Sequence, residues 1–135
     1  MIDHLTISVT DLQKTVTFYE RALKPLGYGL IMAHEQYRAF GPKGKPTLWI
    51  KHAERATPPM HLAFVAKDRK AVDAFYAAAI DAGAQDFGKP GLRPQYHRNY
   101  YGAFVIDPNG HPIEAVCHAP AAAKRKPAPK KKKKR

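Results

Sequence analysis

Apolar positions recur at two different periods along this chain, and the switches between them mark the elements. Residues 2–9 cluster β-forming side chains and predict a strand. From Leu12 the spacing changes: Leu12, Val16, Tyr19, Ala22 and Leu23 fall on one helical face. Asp11 stands before them, where an N-cap belongs. Pro25, Gly27 and Gly29 end that helix, and three strand-like runs follow around 28–34, 37–41 and 47–52, with Gly41-Pro-Lys-Gly as a turn. The plan then starts again. Residues 60–66 predict a strand, Asp68 a cap, and Val72, Phe75, Tyr76, Ala79 and Ile80 a helix that stops at Gly83. A loop rich in Gly, Pro and Arg is expected from about 88 to 98. Strands over 101–106 and 112–117 close the pattern around the turn Asp107-Pro-Asn-Gly.

The two halves correspond residue by residue. HLTISVTDLQKTVTFY at 4–19 aligns with HLAFVAKDRKAVDAFY at 61–76, so His4 meets His61, Asp11 meets Asp68 and Tyr19 meets Tyr76. The hairpins match as well, Tyr37-Arg-Ala-Phe with Tyr101-Gly-Ala-Phe. A repeat of this length is a duplicated supersecondary unit. The reading is an α+β fold of two βαβββ modules, about 1–56 and 57–118, whose curved sheets form a cleft. His4 and His61 become symmetric partners in it.

Composition narrows the class. The chain has 135 residues, 44% hydrophobic and 10% aromatic, which suits one globular domain. No apolar run is long enough for a membrane helix, and MIDHLTISV lacks the zones of a signal peptide. The lone Cys117 permits no internal disulfide, which points to a cytoplasmic location. The net charge of +12 is uneven: residues 124–135 hold nine of the 23 basic side chains and no acid, leaving 14 basic against 11 acidic elsewhere. Residues 119–135 are read as a disordered Lys-rich tail with nonspecific affinity for polyanions, since no aromatics interleave to stack on bases.

Asp3-His4-Leu5, His61-Leu62-Ala63 and Asp107-Pro-Asn-Gly-His-Pro-Ile-Glu114 together resemble the vicinal oxygen chelate superfamily, which includes glyoxalase I, extradiol dioxygenases, fosfomycin-resistance thiol transferases and bleomycin-resistance proteins. The resemblance covers about residues 1–118. It implies metal ligands on the first and last strands of each module: His4, His61 and Glu114, with a fourth position near Leu48 or, one register away, Trp49. Neither of those two can coordinate. A two-His, one-carboxylate set with open positions suits a divalent ion such as Fe, Mn, Zn or Ni. Two adjacent substrate oxygens could then chelate the ion, which would act as a Lewis acid or an electron conduit.

The segment 91–101 is the expected substrate-facing stretch. Arg93 and Arg98 would receive a carboxylate or phosphate, His97 would serve as acid or base, and Tyr100 and Tyr101 would supply walls and hydroxyls. Tyr37, Arg38 and Trp49 are the first-module counterparts, and Thr6 mirrors the catalytic threonine of the fosfomycin-resistance enzymes. His111 is read as a turn residue. The family branches divide on particular residues. Glyoxalase I supplies a fourth ligand where this chain has Leu48. The thiol transferases carry a Ser-rich loop where this chain has 94–100. Extradiol dioxygenases match His97, Asp107-Pro108 and Glu114, with Phe104 in place of a tyrosine. The expectation is therefore a small metal-dependent lyase, isomerase or dioxygenase, homodimeric, acting on a small molecule. The alternatives are a drug-sequestering binding protein of the bleomycin-resistance type or a fosfomycin-resistance-like thiol transferase.

Overall fold

The structure, a computed structural model, describes residues 1–121. All of the Lys-rich tail beyond Ala121 lies outside the described residues. Two βαβββ modules are present. The first comprises β1 (Leu5–Val9), α1 (Leu12–Leu23), β2 (Gly29–His34), β3 (Tyr37–Gly41) and β4 (Leu48–His52). The second comprises β5 (Leu62–Val65), α2 (Arg69–Asp81), β6 (Gln85–Leu92), β7 (Tyr101–Ile106) and β8 (Pro112–Cys117). Each builds a four-stranded mixed sheet, ordered β1-β4-β3-β2 and β5-β8-β7-β6, in which only the first pair runs parallel. No helix among the described residues is long and apolar enough to cross a membrane.

The aspartates at both helix starts do the same work. Asp11 accepts from the Lys14 amide and Asp68 from the Ala71 amide, at 3.0 and 2.8 Å, satisfying donors that a helix leaves unpaired at its first turn. Past α1, a short 3₁₀ turn over Lys24–Leu26 carries Pro25, and Gly27 closes it at φ +81°, a left-handed conformation that glycine adopts without a Cβ clash.

One buried cluster runs through both modules. Ile7, Val9 and Ile50 from the first sheet, Phe64, Val105, Ile113 and Ala115 from the second, and Tyr19, Leu23, Val72 and Phe75 from the helices all belong to it. The helix-bearing face of each sheet therefore points into a shared core, and the opposite faces turn away from it. Polar contacts fasten the joint. The buried Tyr19 hydroxyl donates to Asp107 Oδ2, Asn109 Nδ2 donates to Thr15 Oγ1 at 3.0 Å, and Arg21 pairs with Asp81 between the helices. The other oxygen of Asp107 accepts the amides of Asn109 and His111, both at 2.8 Å. The closing turn of the second module is thus docked on the helix of the first.

Three sequence readings change, and a fourth, His111 as a turn residue, gains a contact. Residues 88–92 belong to β6 rather than to a loop: Gly88, Pro90 and Gly91 are absorbed where the register with β7 shifts twice. β6 is an edge strand, where bulges and a missing N–H are tolerated. The Tyr-x-Ala-Phe motifs are not equivalent. Ala39 pairs with Trp49 in the first module and Phe104 with Glu114 in the second, a one-residue slip that puts Tyr37 and Tyr101 on opposite kinds of face. By the same register Trp49, not Leu48, corresponds to Glu114: Thr6 pairs with Trp49 as Ala63 pairs with Glu114. Finally, His111 is fully buried, and its Nδ1 accepts the Met60 amide at 3.0 Å. That bond tethers the chain just before His61.

Burial, and then the charge of Asp107, raises the Tyr19 pKa well above the ordinary tyrosine value. A raised folded-state pKa contributes stability that is complete below about pH 10 and is lost as pH climbs beyond it. Tyr19→Phe is expected to cost about 1–3 kcal/mol at pH 7, because Asp107 loses its buried donor. Its stability should also fall less steeply than wild type between pH 9 and 11. Urea denaturation across that range checks both.

Candidate metal centre

The open faces of the two sheets carry the chemistry. Strand alternation in β8 sends Ile113, Ala115 and Cys117 into the core and Glu114 to the other side. Glu114 nevertheless remains only 2% exposed. Two side chains cover it. His61, at the entrance to β5, brings Nε2 to 2.6 Å from Oε1, and the Tyr100 hydroxyl donates to Oε2. Burial, and then this bond, raises the Tyr100 pKa well above its ordinary value, so at neutral pH the hydroxyl keeps its proton as donor.

Tyr100 can reach Glu114 because residue 102 is glycine. A Cβ there would stand 3.1 Å from Tyr100 Cε1 and 3.5 Å from Glu114 Oε2, so an added methyl group crowds the ring that spans it. Beside His61 opens a cavity of about 350 Å³ lined by Phe87, Gly88, Arg93, Tyr96 and Phe104. The His61 and Phe104 rings meet edge to face at 6.1 Å. Sequence reasoning missed Phe87 as a lining residue, and it placed Tyr96 in the substrate-facing 91–101 stretch without singling it out. Phe87 was hidden by the bulge beside it, and Tyr96 stands in an irregular loop with no periodicity.

The first sheet repeats the geometry with different chemistry. His4 stands 6.5 Å from Trp49, edge to face, as His61 stands against Glu114. Thr6, Met32, His34 and Tyr37 join them around a cavity of about 370 Å³. Tyr37 packs on Trp49 at 6.3 Å. His4 Nδ1 lies 2.7 Å from Asp3 Oδ1, and this bond lowers the Asp3 pKa.

The expected site residues therefore sort by face. His61, Glu114, Tyr100 and Arg93 come together on the second sheet; His4, Thr6, Tyr37 and Trp49 come together on the first. The two groups stay apart within one chain, and among the described residues no set of three metal-ligating side chains is gathered. Tyr101 lies on the helix side, its hydroxyl donating to Asp73 at 2.6 Å. Arg38 donates to the backbone carbonyls of Glu35 and Tyr37 at 2.9 and 2.8 Å, bracing the β2–β3 turn. His97 is exposed, 5.6 Å from His118, whose ring is 5.2 Å from Tyr100. Arg98 is exposed. A larger hollow of about 480 Å³, against α1 and Pro108, lies away from both histidines.

A fold of paired βαβββ modules with His and Glu on the open faces defines a class. Residues 1–115 match the Glyoxalase/Bleomycin resistance protein/Dioxygenase superfamily, and the chain belongs to it. It is similar to a glyoxalase/bleomycin resistance protein from Albidiferax ferrireducens T118, with 29% identity over 84% of this chain and 95% of that one and a TM-score of 0.73. A glyoxalase/bleomycin resistance protein/dioxygenase family enzyme from Burkholderia phytofirmans PsJN shares the fold at 19% identity and TM-score 0.68, over 87% of this chain and 98% of that one. So does a glyoxalase-related enzyme from Fulvimarina pelagi, at 16% identity and TM-score 0.68, over 87% of each chain. No curated protein matches the sequence.

Gly102→Ala and Tyr100→Phe strike one contact from two sides. Each is expected to destabilise by about 1–2 kcal/mol, and the double variant should fall short of their sum by at least about 0.5 kcal/mol. Full additivity in a denaturation cycle would show that Tyr100 does not depend on the space at position 102.

Proposed function

We propose that this protein is a divalent-metal-dependent enzyme whose centre is completed in a homodimer, with His61 and Glu114 from one chain and His4 from the second copy. The observation that carries the reading is the Glu114 carboxylate, held nine-tenths buried between His61 and Tyr100 on a sheet face that the core does not use. A carboxylate withdrawn from water needs strong partners, and the donor set of two imidazoles and one carboxylate fits a divalent ion. Such an ion, when bound, supplies a Lewis-acidic and, for iron or manganese, redox-capable position for two adjacent substrate oxygens.

The chain's own residues then have distinct tasks. Tyr100 fixes the orientation of Glu114, and His111 anchors the backbone that presents His61. Phe104, Phe87 and Tyr96 wall the cavity on one side. Tyr37 and Trp49 of the other half-site would close it in a two-chain cleft. Trp49 occupies the position equivalent to Glu114, so the second carboxylate that glyoxalase-type proton shuttling uses is absent. This favours ring opening of a small molecule with vicinal oxygens by dioxygen, which serves as the oxidant and leaves both its oxygen atoms in the product, over glyoxalase-type isomerisation. A reducing cytoplasm agrees with Cys117 as a free buried thiol.

A second reading, drug sequestration without chemistry, draws support from the aromatic Tyr37–Trp49 pocket. Metal content separates the two. Elemental analysis is expected to find about one divalent ion per chain, lost in His4→Ala and His61→Ala. When those two variants are combined in one heterodimer, one of the two sites recovers all its ligands, so about half the metal should return. Failure to recover any metal would overturn the two-chain arrangement. Protein that takes up none under any loading condition would leave the sequestering reading standing.

A further inference from the structure

Arg93 occupies a seat that the surrounding backbone has been shaped to leave open. Its guanidinium lies over the Phe104 ring at 5.4 Å. Nη2 donates to the Lys89 carbonyl at 2.7 Å and Nη1, more weakly, to that of Leu92 at 3.4 Å. Residues 88 and 91, the glycines of the two β6 register shifts, border the same group. A Cβ on Gly88 would meet Nη2 at 3.3 Å and Phe104 Cδ2 at 2.9 Å, and a Cβ on Gly91 would meet Nη1 at 3.1 Å. Gly88 also sits at φ +152°, a backbone conformation that side chains disfavour. Two irregularities in an edge strand thus converge on one cation.

That cation has no internal counter-charge. Among the described residues no carboxylate forms an ion pair with Arg93. It is half-buried and lines the cavity that His61 also lines. A guanidinium carries five N–H donors, and two are engaged with carbonyls. An aromatic face beneath it strengthens its hold on position rather than neutralising it. A planar, unpaired guanidinium in an aromatic cavity matches a planar oxyanion, which it can bind through two parallel hydrogen bonds.

We propose that the cavity beside His61 recognises a carboxylate on an aromatic substrate, with Arg93 as the anion-binding residue and Gly88 and Gly91 as the gaps that admit it. The substrate class is accordingly an aromatic acid that also carries the vicinal oxygens required at the His61–Glu114 centre. This rests on the reading of that centre given above, but the anion seat is tested separately from it.

The full-length protein, loaded with Mn(II), is titrated calorimetrically with 3,4-dihydroxybenzoate and with catechol, which share the adjacent oxygens and differ by the carboxylate. The native protein should prefer the acid at least about tenfold. Arg93→Gln should bring the ratio of affinities near one, and Gly91→Ala should reduce it with the arginine still present. A native ratio near one, or a ratio unchanged in Arg93→Gln, overturns the proposal. In parallel, metal-free protein is titrated with benzoate while the Arg93 Nε–H resonance is followed by NMR. A saturable shift, absent with benzyl alcohol, supports the seat even if neither catechol-type probe binds the metal-loaded form, in which case the metal reading alone fails. No shift with benzoate overturns the seat whatever the metal does.

Discussion

A sheet face buried against a core is closed to solvent chemistry, and in this protein both helix-bearing faces are spent on one common core. Tyr19, Phe75, Ile7, Ile113 and their neighbours fill it from both modules, and the Tyr19–Asp107 bond locks the joint where water is excluded. Once these faces are committed inward, strand alternation sends His4, Trp49, His61 and Glu114 outward. The positions of the candidate ligands are therefore a by-product of how the core is assembled. The same constraint explains why His4 and His61, symmetric in sequence, do not face one another within one chain.

The duplicated architecture was legible in the sequence because it is written in strong local signals. Paired histidines, paired aspartate caps and a helical apolar stripe recur in the same order, and each signal acts over a few residues. What stayed illegible depends on register. The two Tyr-x-Ala-Phe motifs look alike, yet the chain enters β3 and β7 one residue out of step, so Tyr37 faces outward while Tyr101 meets Asp73 beside α2. No local preference encodes that slip; it is fixed by pairing with β4 and β8 across the hairpins. β6 was hidden for a related reason, since its glycines and proline read as loop chemistry until a neighbouring strand supplies the ladder. The candidate site was readable as a set of residue types at the right places, Glu114 and His61 foremost. Its supporting parts were not: the gap at Gly102 that admits Tyr100 has no signature except through the ring it accommodates.

His111 illustrates how the closing turn serves the site from a distance. Its ring is buried at the end of Asp107-Pro-Asn-Gly and takes the Met60 amide, while Asp107 holds the turn itself through two amides. The acidic-turn motif therefore links the α1 helix, the start of β5 and the start of β8 in one hydrogen-bonded unit. A side chain that belongs to the turn by sequence belongs, by contact, to the strand that carries His61.

The irregularities of the sheets also bear on how copies of this molecule can associate. β2 and β6, the outer edges, are both interrupted where the register shifts, and β6 carries a proline as well. Such edges make poor templates for an added strand. At β1 the edge is already covered, since the Ser8 amide donates to Thr57 Oγ1 at 2.8 Å and the Ser8 carbonyl accepts the Thr57 amide at 2.9 Å, which leaves β5, four residues long, as the uninterrupted edge among the described residues. A ladder built between two chains on like edges, β5 to β5, closes on itself instead of propagating as a fibre.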